Sequence, residues 1–446
     1  MEMPDLTRST PGLVALAVFG IAYAFVIAEE FTHLRKSKPV VLAAGILWLL
    51  AAMAWQAAGL HGADELLRHN LVEYGGLLLF LLAAMTFVNT LEERGVFAAL
   101  RSYLVERRFS FRAMFWLTGA ITFVLSPILD NLTTALVMGA VVLAAARGIP
   151  RFITPACINI VVAANAGGAF SPFGDITTLM VWQKGLVGFF EFFSLFIPSV
   201  VNWLIPAFFM SFAVPAGQPP LDERRARLKP GAVAVIVIFA LTIAATVAFH
   251  QFADLPPFLG MMTGLGALQI YGYVIRRREL RETAARPPVS PPPGFKHATK
   301  PFDIFISVKR VEWDTLLFFY GVVLCVGALG AFGFLVLLSQ ASYASLGDTW
   351  SNVAVGIASA LIDNIPIMFA VLTMAPDMSQ GQWLLVTLTA GVGGSLLSIG
   401  SAAGVALMGQ ARGIYTFFAH LKWSWAIALG YAASIYVHFL VNAGRF

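Results

Sequence analysis

Hydrophobic positions along this chain fall in long unbroken runs, without the polar stripe of a water-facing helix or the alternation of a half-exposed strand. A segment apolar on every side is a helix buried in protein or lipid, and about 20 such residues cross a bilayer. Ten runs stand out, at 12–28, 39–58, 72–90, 152–183, 189–213, 231–250, 256–275, 312–338, 383–409 and 423–441. Segments 111–146 and 350–376 are also apolar, but each is split midway, by LDN at 129–131 and by IDN at 362–364. Glycine-rich stretches interrupt two of the runs: NAGGAFSPFGD at 165–175 and GVGGSLLSIGS at 391–401. Backbone so dense in Gly and Pro opens a helix. The pattern predicts an all-α polytopic membrane protein with discontinuous helices. The first run lacks a basic lead-in and is too long for a cleavable signal, so it is expected to be the first span.

Composition agrees. With 59% hydrophobic and 12% charged residues and a mean hydropathy of +0.79, the chain lies outside the range of soluble globular domains. The net charge of +5 is spread over short loops, which argues against a nucleic-acid partner. Alternating sides of the ten spans receive very different numbers of Lys and Arg: 25 of the 29 fall on one side, leaving Arg8, Arg68, Lys184 and Arg445 on the other. The rich side is cytoplasmic by the positive-inside rule, and both termini then face outward. Cys157 and Cys325 lie inside apolar runs and read as small packing residues.

The two halves repeat. PGLVALAVFG (11–20) resembles PGAVAVIVIF (230–239), EYGGLLLFLL (73–82) resembles EWDTLLFFYG (312–321), LDNLTTALVM (129–138) resembles IDNIPIMFAV (362–371), and AGGAFSPFGD (166–175) resembles VGGSLLSIGS (392–401). The four pairs keep the same order. Each half holds five spans and one split segment, so the second half enters from the opposite side and the repeats are inverted. The expected organisation is a first repeat at 1–213, a linker at 214–230 and a second repeat at 231–446. The first repeat carries a re-entrant hairpin at 111–146 and a broken helix at 152–183. The second carries a cytoplasmic loop at 276–310, a hairpin at 350–376 and a broken helix at 383–409. Inverted repeats with discontinuous helices are the architecture of secondary transporters, with the site at the repeat interface.

Three carboxylates interrupt apolar sequence: Asp130, Asp363 and Asp175. An ionised Asp at membrane depth costs about 2.5–3.5 kcal/mol on insertion scales. Capping accounts for a polar residue at each place, since Asp130 or Asn131 can cap the helix after it and Asp175 can cap ITTLMVW. It does not account for the charge, because Ser, Thr or Asn would serve, and Ser401 stands where the first copy has Asp175. Freed carbonyls in the breaks, with Asn165, Ser171, Thr177, Thr178, Ser398 and Ser401, can replace water around an ion. No Lys or Arg occurs in 113–146, 152–183, 231–275 or 311–411, so the carboxylates are expected to lack a fixed counter-charge and to attract a mobile cation. Hard oxygen ligands suit Na⁺, Li⁺ or H⁺, and neighbouring carboxylates can exchange a proton for the metal ion. Glu73, at the outer end of its span, and Glu312 and Asp314, at the cytoplasmic end of the matching one, are expected to gather cations at opposite entrances. His69 and His438 are expected to be hydrogen-bonded structural residues.

SPILDNLTTALVM, GGAFSPFGDITTLMVW, VEWDTLLFFYG and SALIDNIPIMFAV together resemble the NhaD-type sodium/proton antiporters of the ion transporter superfamily, over nearly the whole chain. The resemblance implies Na⁺(Li⁺)/H⁺ exchange across a bacterial inner membrane, two re-entrant hairpins, a homodimer and no cofactor. It also implies functional roles for Asp130, Asn131, Asn165, Asp175, Thr177, Thr178, Asp314, Ser359, Asp363, Asn364, Ser398 and Ser401. The second copy departs from the first at Pro366 and Ser401, so the half-sites need not be equivalent. The first rival is an anion carrier of the same superfamily, moving a carboxylate or arsenite-like solute. That superfamily's dicarboxylate carriers place Ser-Asn-Thr at the hairpin tips, where this chain has Asp130 and Asp363. The second rival is an intramembrane aspartyl protease, whose Gly-x-Gly-Asp pattern fails here because Pro172 precedes Phe173-Gly174-Asp175.

Overall fold

A computed structural model describes residues 5–32, 34–107, 109–146, 149–218, 228–284 and 302–446. The middle of the inter-repeat linker and residues 285–301 of the expected cytoplasmic loop lie outside this set. Among the described residues, regular structure is helical. In chain order the α-helices are α1 (Thr10–Ile27), α2 (Glu29–Thr32), α3 (Ser37–Ala57), α4 (Ala63–Glu93), α5 (Val96–Glu106), α6 (Phe111–Leu129), α7 (Asn131–Ala145), α8 (Pro150–Gly168), α9 (Ile176–Gln183), α10 (Phe196–Ser211), α11 (Ala232–Ala253), α12 (Pro257–Ala284), α13 (Ile304–Lys309), α14 (Trp313–Ala331), α15 (Phe334–Ser339), α16 (Asp348–Ala358), α17 (Asn364–Met374), α18 (Gln380–Gly393), α19 (Ala402–Gln410), α20 (Phe417–Leu421) and α21 (Ser424–Val441). Among the described residues, nine helices are long and apolar enough to cross a membrane.

The expected interruptions fall at helix ends. Residues 152–183 divide into α8 and α9 and residues 383–409 into α18 and α19, each pair separated by its glycine-rich break. Three differences have physical reasons. Helix α4 begins at Ala63, with Asp64 and Glu65 in its first turn, so His69 and Glu73 lie within a helix and not at the start of one. Acidic residues favour that first turn and let the helix begin before the apolar run. Helix α12 continues through the Arg-rich stretch to Ala284, because Arg and Glu are good helix formers. Helix α6 has 19 residues against 11 in the corresponding α16. At 1.5 Å per residue α6 is long enough to cross a bilayer, whereas α16 is not.

The chain forms two compact units. The first comprises Met1–Tyr74, Tyr103–Glu223 and Asp314–Phe446. At its centre α8 and α18 pack together, buried along nearly their whole length by small and branched side chains. Helix α6 lies along α8, and α16 along α18. Helix α7 packs on α19, while α17 packs on α9, so each split segment meets the broken helix of the other half. Trp48 and Trp55 of α3 donate indole N–H bonds of 2.9 Å to Leu324 O and Ala331 O of α14, which fixes the register of those two helices.

The second unit comprises Gly75–Ser102 and Arg224–Trp313. Helices α11 and α12 approach closely: a Cβ at Gly260 or Gly264 would meet Thr246 or Thr242 well inside contact distance. Small residues at four-residue spacing allow such contact between apolar helices. Phe87 of α4 stacks on Phe239 of α11, ring centres 4.8 Å apart. Buried Arg94 binds Glu279 at 2.7 Å and packs over the Phe302 ring at 4.5 Å.

Candidate functional site

Residues that the sequence matches between the two halves make some similar contacts in the first unit. Ser126 Oγ donates to Ala164 O at 2.6 Å, and Ser359 Oγ donates to Ala390 O at 3.0 Å. A Cβ at Gly168 would sit 2.7 Å from Gly174 O, and one at Gly394 would sit 2.7 Å from Gly400 O. Only glycine lets the chain fold back on itself so tightly at these two places. Each break ends in an N-cap with nearly the same backbone: Asp175 at φ −145°, ψ 151° and Ser401 at φ −142°, ψ 149°. Asp175 Oδ1 accepts from Thr177 N, and Ser401 Oγ accepts from Gly404 N. Capping is therefore common to both positions, and the charge is peculiar to Asp175.

That carboxylate collects the tips of both split segments. Asn131 and Asn364 each donate an amide hydrogen to Asp175 Oδ2 at 3.0 Å. Asn131 Nδ2 also reaches Asn165 Oδ1 at 3.2 Å, and Asn165 Nδ2 donates to Ser395 Oγ at 2.8 Å. Asp175 is 4% exposed, and Asn165, Thr177, Thr178 and Ser398 are buried completely. The Thr178 hydroxyl is spent on Ser171 O and Asp175 O. Thr177 Oγ1 is buried beside the Asp175 carboxylate, and Ser398 Oγ is buried without a hydrogen-bond partner among the described residues. Buried hydroxyls left in that state retain lone pairs for a ligand.

Asp130 and Asp363, equivalent by sequence, have different partners. Asp130 sits at φ +67° and caps α7: its carboxylate accepts from Thr133 N at 2.8 Å and from Thr133 Oγ1 at 2.9 Å. At the position equivalent to Thr133 the second copy has Pro366, which has no N–H to offer. Asp363 accordingly makes no such cap. Its Oδ2 pairs with Lys36 Nζ at 2.9 Å, and its Oδ1 is buried without a hydrogen-bond partner among the described residues. This corrects the expectation that no fixed cation reaches the carboxylates. Lys36 belongs to a basic run at the start of α3, and its four-carbon stem carries the ammonium to a residue 327 positions away. Asp175 lies within electrostatic range of Asp363.

The remaining candidates occupy other places. Ser359 is bonded to Gly356 O and Ala390 O beside the second break. Asp314 accepts from Ser37 Oγ and, with Glu29, lies within electrostatic range of Lys36. Burial pushes the Glu29 carboxyl up from its ordinary value despite the nearby Lys36 charge. Glu73 is ion-paired with Lys184 and has His69 Nε2 at 2.9 Å, so its charge is already matched within the protein. Glu312 belongs to the second unit. His438 is buried and bonded to Gly381 O at 3.0 Å. Sequence reasoning missed Ser126, which alignment of the halves through Ser359 would have found. It also missed Ser395 and Lys36, which carry no such signal.

Known proteins resemble the chain over most of its length. A family model described as a citrate transporter matches residues 14–391. The Na(+)/H(+) antiporter NhaD of Alkalimonas amylolytica is 54% identical over 99% of this chain and 93% of its own length. The Na(+)/H(+) antiporter NhaD of Vibrio cholerae is 53% identical over 99% and 94%. Sodium/proton antiporter 1 of Arabidopsis thaliana is 32% identical over 96% and 72%.

Proposed function

We propose, for a chain that belongs to the NhaD-type sodium/proton antiporters, an exchange mechanism centred on Asp175. The protein is a multi-pass membrane transporter, not an enzyme, and it exchanges Na⁺ for H⁺. The observation that carries the proposed site is the convergence of Asn131 and Asn364, one from each half, on a single buried carboxylate oxygen. Without a metal ion, those amides and Thr177 N satisfy the charged carboxylate. An Asn side chain turned half a revolution about its last torsion presents oxygen in place of N–H. The two amides that hold the bare carboxylate thereby become ligands to a cation resting on it. Thr177 Oγ1, beside the Asp175 carboxylate, and buried Ser398 Oγ, unpartnered among the described residues, supply further neutral oxygen of the kind Na⁺ and Li⁺ prefer. A proton on Asp175 removes the charge that attracts the metal ion, so the two compete for one seat.

Because each tip belongs to a different half, cation binding ties the halves together, which suits alternating access between inverted repeats. The matched serine bonds, glycine contacts and cap geometry support that repeat reading. Asp130 and Asp363 flank the central carboxylate in this account, with Asn165, Thr178, Ser359 and Ser401 shaping the breaks. Glu73, Glu312 and Asp314 stand at the entrances. The reading extends to Li⁺ as a second substrate, a homodimer, and a bacterial inner membrane with both termini periplasmic.

The family description names citrate, and a carboxylate carrier needs positive charge at its centre. Here the centre is Asp175, and the nearby cation Lys36 is engaged by Asp363. The chemistry therefore favours a cation. The test is dequenching of a pH-sensitive dye in everted vesicles on adding Na⁺ or Li⁺. A response to both that Asp175→Asn abolishes supports the reading, and a response to citrate alone overturns it.

A further inference from the structure

We propose that Lys36 is a tethered cation that occupies Asp363 until a transported ion replaces it, and that it thereby sets the apparent affinity for Na⁺. The inference rests on the proposed membership of Asp363 in the cation site. The ammonium lies 2.9 Å from Asp363 Oδ2 and over the face of Phe318, 4.3 Å from the ring centre. Both side chains are largely withdrawn from solvent, at 18% and 13% exposure. The pair adjoins the central carboxylate, because the next residue, Asn364, donates to Asp175.

Comparison of the two halves shows what the pairing is for. Asp130 is committed to its own helix through Thr133, whereas Pro366 leaves the Asp363 carboxylate with no cap to make. A carboxylate free of backbone duty can exchange its partner without unravelling a helix. A lysine ammonium is a compact, strongly hydrated monovalent point charge, close in character to the ion carried. It holds the negative oxygen in place during the part of the cycle when no metal ion is bound.

Release of the ammonium needs another anion nearby, and two are present. Glu29 and Asp314 both lie within electrostatic range of Lys36, and Asp314 is positioned by Ser37, the residue next to the lysine. A swing of the flexible side chain toward either one exposes Asp363 to an incoming cation while the lysine keeps a counter-charge. The entering Na⁺ thus competes with a cation that is covalently attached to the chain.

The test uses purified full-length protein in proteoliposomes at one fixed pH, with Na⁺ titrated and the initial exchange rate recorded. Lys36→Gln should lower the KM for Na⁺ by about tenfold, between the effects of losing an exposed and a buried ion pair. Lys36→Arg, which grips a carboxylate with two parallel N–H groups, should raise KM by a similar factor. A structural role would change the amount of active protein, and hence the maximal rate, without moving KM in opposite directions. Independently of folding in the variants, acylation of Lys36 by an amine-reactive reagent in the wild type should increase in Na⁺ relative to choline. Unchanged KM in both variants, or acylation indifferent to Na⁺, overturns the role of Lys36. Absence of Na⁺ exchange in the wild type overturns instead the reading on which it rests.

Discussion

Replacing Asn364 with Ala removes one of the two amide donors on Asp175 Oδ2 and leaves the other, from Asn131, at 3.0 Å. A hydrogen bond to a charged group contributes roughly 1.5–3 kcal/mol. In the loaded state the same side chain is proposed to give its oxygen to the ion, whereas in the ion-free state Asn131 and Thr177 N still hold the carboxylate, so the larger loss falls on the loaded complex. At about 1.4 kcal/mol per factor of ten, the KM for Na⁺ should rise by roughly ten- to a hundredfold. Asn131→Ala should have a similar effect, because its bond to Asp175 has the same length, and it should also free Asn165 Oδ1. The two amides act on one oxygen, so the double variant should fall short of the product of the single effects. The assay is Na⁺-dependent dequenching of a pH dye in everted vesicles, normalised to the amount of inserted protein. A KM for Asn364→Ala within twofold of the wild type refutes the reasoning, because the convergence of the two tips would then carry no binding energy.

Asp130→Asn should keep the cap on α7, since Asn caps as well as Asp does, and the protein should insert at wild-type levels. Exchange should nevertheless be lost; normal exchange in the same vesicles would reduce Asp130 to a cap. Gly168→Ala and Gly394→Ala should each destabilise the protein by about 1–3 kcal/mol, as a Cβ driven against backbone oxygen must force the break open. Thermal melting in detergent checks this, and an unchanged midpoint at both positions would contradict the fold-back geometry.

Much of the architecture was legible in the chain because membrane helices leave one-dimensional marks. The uncharged runs locate the long helices, and Gly-rich stretches around Gly168 and Gly394 mark where helices must open. The repeated LDN and IDN led to both tips, since polar residues amid apolar sequence have few structural explanations. What the sequence did not reveal was which member of each pair faces the centre. Adjacent residues at a helix start point in different directions, so Asn131 and Asn364 bind Asp175 while Asp130 turns back on Thr133. Pro366 signalled that the second tip differs, but not that its carboxylate would find Lys36. That pairing joins positions 327 residues apart through a long flexible side chain, and charge counting assigns its lysine to a loop. The helix starting at Ala63 was hidden for a related reason, because its first turns are polar and lie outside the apolar run.

The central claim is that Na⁺ and H⁺ share Asp175. The most direct measurement is proton release from the purified protein in weakly buffered detergent on addition of Na⁺, with choline as the control. The account predicts saturable release by the wild type and none by Asp175→Asn, although that variant keeps its cap on α9. Release of the same size and affinity from Asp175→Asn would contradict it and move the site elsewhere.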